Sequence, residues 1–225
     1  MEARRHFHQE LDELESSVLT MGELSERALT RALDVLQTRD EAEAASIVAD
    51  DDEVDRQYID IEQRWLELLA LQTPVAGDLR LLSAILHINN HLERIGDMAV
   101  NIAKISMATR NLPTNATILT HLREMGDVVR PMIRTALDAF GHRELALARQ
   151  LPSMDDPVDR LNREMYREVA ACAGDQVLLE WAVRMMVVSR QLERVGDHAV
   201  DIGEQVAFLL TGQFEEFSEE TEADA

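Results

Sequence analysis

Apolar residues recur at alternating steps of four and three along nearly the whole chain. Phe7, Leu11, Leu14, Val18, Met21 and Ser25 open a first stripe that runs through Ala28 and Ala32 to Val35. Ile47, Asp51, Val54, Tyr58, Ile61, Trp65 and Leu68 make a second, and Leu81, Ile85, Ile88, Leu92, Ile95, Ala99 and Ile102 a third. Such a stripe is the buried face of a helix packed in a bundle. A fourth runs from Ile118 to Phe140, and its phase carries across Pro131, which reads as a kink rather than an end. A fifth helix is expected over 145–172, and a sixth carries Trp181, Met185, Val188, Leu192, Val195 and Ala199 on to Leu209. No segment sustains the period-two alternation of strands, so the fold class is all-α, with helices of about 30 residues, about 45 Å long.

The breaks are local. Thr38-Arg39-Asp40 reads as a corner, Gln72-Thr73-Pro74 ends the second helix, and Asn111-Leu112-Pro113-Thr114 ends the third. Asp78 is one candidate cap for the third helix; Thr73 with Pro74 at the first helical position is the other.

The two halves are copies of one unit. At an offset of 104, Met21-Gly22 matches Met125-Gly126, Ala32-Leu33-Asp34 matches Ala136-Leu137-Asp138, and Arg39 matches Arg143. Val54-Asp55-Arg56 likewise matches Val158-Asp159-Arg160. The offset then falls to 100, as if the second copy had lost four residues near Gly174. His91-Leu-Glu-Arg-Ile-Gly-Asp-Met-Ala-Val-Asn-Ile then matches Gln191-Leu-Glu-Arg-Val-Gly-Asp-His-Ala-Val-Asp-Ile. The expected organisation is a three-helix unit over 1–110, a second over 111–214, and an acidic, disordered tail over 215–225.

Charge narrows the function. The 225 residues carry 43 acids against 22 bases, for a formal charge of −21. Nucleic-acid phosphates and anionic membrane surfaces repel such a chain, so no nucleic acid is expected as a partner. The longest uncharged run, 81–92, is too short to span a bilayer and contains His87, Asn89, Asn90 and His91. No signal peptide follows Arg4 and Arg5, and a cytoplasmic location without direct membrane insertion is the expectation. The single cysteine, Cys172, excludes an intrachain disulfide and a Cys-rich zinc site.

The repeated phrase carries the candidate chemistry. Glu93, Asp97 and Asn101 follow one another at steps of four, as do Glu193, Asp197 and Asp201. Each step turns about 40° around a helix, so each trio forms a slanted oxygen stripe. Like charges at this spacing repel unless a cation lies between them. Hard cations with several oxygen ligands suit them: magnesium, manganese, calcium or oxidised iron, with zinc less suited. Asp55 and Asp159, with Asp51, Asp52 and Asp156 beside them, complete the sites if an antiparallel neighbour brings them opposite the stripe. The alternative is a solvated acidic face paired with Arg94 and Arg194. Gly96 and Gly196 weigh against it, since glycine costs about 1 kcal/mol in a helix interior and implies a close helix approach or access to a ligand there. His87, His91 and His198 lie near the stripe, His198 as a possible ligand. Trp65, Trp181 and the Met185-Met186 pair read as packing residues.

There is no Gly-rich phosphate loop, no Gly-x-Ser-x-Gly, no His-Glu-x-x-His and no Glu-x-x-His pair. An enzyme is therefore not expected, and neither a general base nor a substrate pocket can be named. A metal-dependent phosphate-ester hydrolase and a purely structural bundle remain as alternatives.

With these residues in view the chain resembles the PhoU family over roughly residues 6 to 214. The resemblance rests on the paired Leu-Glu-Arg-Ile/Val-Gly-Asp motifs, on Pro74-Val75-Ala76-Gly77-Asp78-Leu79-Arg80, on the paired Val-Asp-Arg segments and on Thr20-Met21-Gly22. It implies two tandem three-helix bundles related by a pseudo-twofold. It also implies a negative regulator of the phosphate-starvation response. Its partners would be the ATPase subunit of the phosphate-specific ABC transporter and a sensor histidine kinase at the inner membrane, and homodimers are common. Metal clusters of the family fall on the acidic motifs, here Glu93, Asp97 and Asn101, and Glu193, Asp197 and Asp201. Asp78 and Arg80 belong to the first copy only, since Gln176-Val177-Leu178 stands at the equivalent place.

Overall fold

A computed structural model describes residues 2–71 and 74–217, and the side chains of residues 2 and 3 are left aside. Among the described residues the chain is helical without strands. The elements are α1 (Glu2–Thr38), α2 (Glu41–Leu71), α3 (Ala76–Thr109), α4 (Ala116–His142), the single turn α5 (Leu145–Ala148), α6 (Leu151–Ala171), a 3₁₀ turn (Cys172–Gly174) and α7 (Gln176–Thr211). The six long helices are those the stripes predict. α1, α2 and α3 form one bundle and α4, α6 and α7 the other. The stripes are the core: Leu14, Val18, Met21, Ile85, Ile95, Val129, Phe140, Val195 and Ile202 are fully buried.

The ends explain several repeated residues. Arg39 and Arg143 both adopt left-handed φ, 57° and 59°, just past α1 and α4. The same residue thus turns the same corner in each copy. Asp40 then caps α2, accepting from the amides of Ala42 and Glu43 at 2.9 and 3.1 Å. Asn115 caps α4 and Asp175 caps α7 in the same way. α4 continues through Pro131 as one helix.

The fifth stripe departs from expectation. The helix expected over 145–172 breaks at Arg149 and Gln150 and restarts with Pro152 in its first turn. Proline has no amide hydrogen and disfavours helical backbone in the residue before it, so it begins a helix more readily than it continues one. α2 ends at residue 71 and α6 at residue 171, so the four residues missing from the second copy are the last turn of its middle helix. Asp78 does not cap α3. The cap position is Val75, without a side-chain hydrogen bond. Asp78 stands inside the first turn, where a negative charge favours the helix dipole. Thr73, the other candidate, lies outside the described residues. Of the acidic tail, 215–217 turn back on the second bundle. Glu215 pairs with Arg149 at 2.8 Å, and the Phe217 amide donates to Glu204 Oε1 at 2.6 Å. The remainder, 218–225, lies outside the described residues.

The bundles join through two antiparallel seams, α1 on α4 and α3 on α7. On the first, Gly22 faces the Leu137 side chain and Gly126 faces Leu33. A Cβ on Gly22 would lie 2.6 Å from Leu137 Cδ1, and one on Gly126 2.7 Å from Leu33 Cδ1. Each glycine admits the leucine of the other copy, the reciprocity an isologous interface requires. Around it, Glu26 pairs with Arg134 and Glu15 with Arg143. On the second seam, Arg80 Nε donates to the Leu209 carbonyl at 3.3 Å, placing a cation at the C-terminal end of α7.

Candidate metal-binding acidic clusters

α2 and α3 run antiparallel, held in register by hydrogen bonds that share no atom with the acids. Trp65 Nε1 donates to the Leu82 carbonyl at 2.7 Å, and Asn89 Nδ2 to the Tyr58 carbonyl at 3.1 Å. Further along, Val54 packs against Gly96, where a Cβ would meet its Cγ1 at 3.2 Å. This register sets Asp51 and Asp55 of α2 opposite Glu93 and Asp97 of α3. Burial pushes the Glu93 carboxyl above the ordinary range, and Asp97, Asp55 and Asp51 add to the push against Arg94. Asp51 is raised first by burial, then by Asp55 and Asp97. Glu93 Oε2 is buried without a hydrogen bond, with Arg94 Nε 3.4 Å away. Arg94 Nη1 also reaches Asp97 Oδ2 at 3.3 Å.

The second copy repeats the arrangement between α6 and α7. Ser189 Oγ donates to Asn162 Oδ1 at 2.9 Å and fixes the register. Asp159 then faces Glu193 and Asp197. Glu193 is 8% exposed, and its Oε2 accepts no hydrogen bond. Burial raises it first, Asp197 next and Asp159 after the opposing pull of Arg190. Asp197 is raised by the protein around it, then by Asp159 and Asp201. Gly196 has a sharper role than Gly96. The Asp155 carboxylate occupies the place its Cβ would take. Asp155 is the repeat equivalent of Asp51 at the offset of 104, which was the available signal for it.

The expected ligands therefore divide. Glu93, Asp97 and Asp55 gather in one cluster with Asp51. Glu193, Asp197 and Asp159 gather in the other, with Asp201 at its edge and Asp155 against Gly196. Asn101 and Arg194 are exposed, and Arg194 acts on Glu193 only through its charge. The ion pair to Glu193 comes from Arg190, one helical turn earlier and unnoticed in the sequence. Asp78, 3.7 Å from His8 Nε2, and Arg80 lie at the far end of α3, about 20 Å from Glu93 along the helix. Arg80 reaches the second copy at Leu209, whereas Asp78 pairs within the first, and neither completes a cluster.

Asp201 has its own environment. Its Oδ2 lies 3.4 Å from His198 Nδ1 on its own helix and 3.4 Å from His91 Nδ1 across the seam between α3 and α7. Desolvation lowers the His91 pKa to about 4 against the pull of Asp201.

Glu93, Asp51, Glu193 and Asp197 are raised by burial and by neighbouring acids, and Glu93 Oε2 and Glu193 Oε2 accept no hydrogen bond, so these acids could serve a hard, oxygen-seeking cation as ligands. Such an ion would cancel the mutual repulsion. No helix among the described residues is long and apolar enough to cross a membrane.

The chain matches the family model described as PhoU domain twice, at residues 18–106 and 122–206. It is 33% identical over 212 residues to the phosphate-specific transport system accessory protein PhoU homolog of Clostridium acetobutylicum, covering 93% of this chain and 96% of that protein. The homolog of the same name from Caulobacter vibrioides is 32% identical, covering 93% and 91%. Among solved structures, PhoU from Pseudomonas aeruginosa superposes with a TM-score of 0.88 at 31% identity, over 92% of this chain and all of that one. The phosphate transport system regulatory protein PhoU from Streptococcus pneumoniae gives 0.85 at 28%, over 93% and 99%.

Proposed function

The chain belongs to the PhoU family, and from that premise we propose that it is a negative regulator of the phosphate-starvation response, working by binding rather than by catalysis. As an accessory protein of phosphate-specific transport it has a role in phosphate regulation. In the proposed mechanism it stands between the ATPase subunit of the phosphate-specific ABC transporter and a sensor histidine kinase, on the cytoplasmic side of the membrane, as a homodimer.

The observation that carries this reading is the pair of equivalent acidic clusters, each between the second and third long helices of its own bundle. Glu93, Asp97, Asp51 and Asp55 would hold hard cations in one, and Glu193, Asp197, Asp159 and Asp155 in the other. The ions would supply charge neutralisation. They would keep the α2–α3 and α6–α7 faces together and set the charge those faces present to a partner.

Deleting the gene in its host is expected to release phosphate-starvation genes in high phosphate, and restoring the chain to silence them. The purified chain should retain the transporter ATPase subunit in manganese or magnesium and release it in EDTA. Continued repression in the deletion strain overturns the regulatory reading. Retention unchanged in EDTA overturns the role of the ions.

A further inference from the structure

Two histidines from different copies meet at the central seam. His91 on α3 and His198 on α7 are 107 residues apart in sequence, yet their Nδ1 atoms lie 3.1 Å apart. The rings are tilted by 50° with centroids 5.2 Å apart, so they converge edge to edge rather than stack. Asp201 Oδ2 completes the triangle at 3.4 Å from each nitrogen. The histidine side chains are 19% and 17% exposed.

A neutral imidazole carries one proton on one of its two nitrogens. If both Nδ1 atoms were protonated, two hydrogens would oppose each other across 3.1 Å. If one is, the other nitrogen and the carboxylate still face each other with lone pairs and no proton between. Three donors thus share a point that hydrogen bonding satisfies only in part.

The dimensions are those of a coordination shell. Around a tetrahedral ion bound at about 2.0–2.1 Å, neighbouring ligand atoms stand about 3.3–3.4 Å apart. The observed triangle of 3.1, 3.4 and 3.4 Å has a circumscribed radius of about 1.9 Å, which puts such an ion about 0.7 Å out of the ligand plane. A regular tetrahedron requires that same displacement. We propose that His91, His198 and Asp201 form a zinc-type site bridging the two copies, with the fourth position open to water.

This site differs from the acidic clusters in chemistry and in symmetry. Two imidazoles and one carboxylate suit zinc and the late first-row ions, whereas all-oxygen clusters suit magnesium and manganese. Each acidic cluster lies within one copy. The histidine site takes one ligand from α3 and two from α7, so an ion there ties the halves together. The repeat equivalents of His91, His198 and Asp201 are Gln191, Met98 and Asn101. The chain therefore carries one such site, not two.

The test uses the untagged full chain after chelator treatment. Cobalt(II) is expected to bind with the visible absorption of a tetrahedral centre, and zinc to displace it at one equivalent and raise the unfolding temperature. The comparison variant carries His91→Gln with His198→Met, the residues the other copy uses in equivalent places, and its unfolding without metal shows that it folds. Losing an outer partner of a metal-bound histidine costs about 10–100-fold in affinity, so losing both imidazoles should cost more than about 100-fold. Manganese binding by the acidic clusters should persist in the variant. Failure of the wild-type chain to bind zinc, or zinc bound equally by the variant, overturns the proposal.

Discussion

Gly22 and Gly126 receive each other's leucines and Arg39 and Arg143 turn the same corner, but Asn101 and Asp201 part company. Asn101 stands exposed, while Asp201 turns to His198 on its own helix and to His91 across the seam. The copies have kept the seam glycines and leucines and the main acids of each cluster, and diverged at polar positions beside them. Packing explains the contrast. A change in a seam glycine, or in Leu33 or Leu137, disturbs both halves at once, because each glycine packs on the leucine of the other copy. A change at a polar position on the rim of α7 alters one cluster and leaves the other intact.

The largest expected effects test the shared part. Leu92 and Leu192 are fully buried at equivalent points. Truncating either to alanine should cost about 2–5 kcal/mol in denaturant unfolding, with the two values close to each other. A loss in one copy less than half that in the other would break the equivalence of the cores.

Cations come next and test the divergent part. A site filled at 100 times its dissociation constant adds about 2.7 kcal/mol to the stability of the folded chain. Asp201 gives the second cluster a negative charge that Asn101 denies the first. Manganese should therefore bind more tightly to the second, and Glu193→Gln with Asp197→Asn should remove more of the thermal shift than Glu93→Gln with Asp97→Asn. Without cations the sign reverses. A carboxyl raised in the folded state destabilises it at neutral pH, and that cost fades as pH falls through the raised pKa. Cation-free Glu193→Gln should thus unfold at a higher temperature than wild type at pH 7 and lose that advantage in acid. Isothermal titration and thermal unfolding across pH read both.

Much of this was legible in the sequence. Periodicity located six long helices, the repeated phrase located the acids, and the paired glycines implied close approach. The rest depended on pairing between helices. A stripe shows which residues face inward but not which neighbour they meet, so His91 and His198 stayed separate polar residues. Asp155 was missed because its role rests on Gly196 having no Cβ. Arg190 was missed because the arginine inside the motif, Arg194, drew attention from the one a turn away. The break before Pro152 was hidden by an apolar pattern that continues on both sides of it.

The glycines offer a finer comparison. Alanine at position 96 meets Val54 Cγ1 most closely, at 3.2 Å, and gains about 1 kcal/mol of helix propensity, so the net change should be within about 1 kcal/mol of zero. Alanine at position 196 takes the place of the Asp155 carboxylate. Its effect should fall on manganese affinity. Equal manganese affinity in wild type and Gly196→Ala would show that Asp155 is not a ligand.

The smallest effects come from the arginines, and they separate the two clusters by environment. Arg94 pairs with Glu93 and with Asp97, which is 45% exposed; Arg190 pairs with a Glu193 side chain only 10% exposed. Exposed pairs contribute about 0–1 kcal/mol, and Arg94→Ala should fall at the lower end of that range. Arg190→Ala should cost more, because it leaves a nearly buried carboxylate facing Asp197 and Asp159 without its nearest cation. Arg190 holds the Glu193 carboxyl down against those neighbours, so its loss sends that group further up. The cost should be present at pH 7 and vanish once Glu193 is protonated. Added salt should shrink the Arg94 effect more than the Arg190 effect, since screening reaches exposed charges first. Chemical unfolding of both variants at two pH values and two salt concentrations measures the difference. A larger loss at Arg94 would reverse the order of burial assigned to the two clusters.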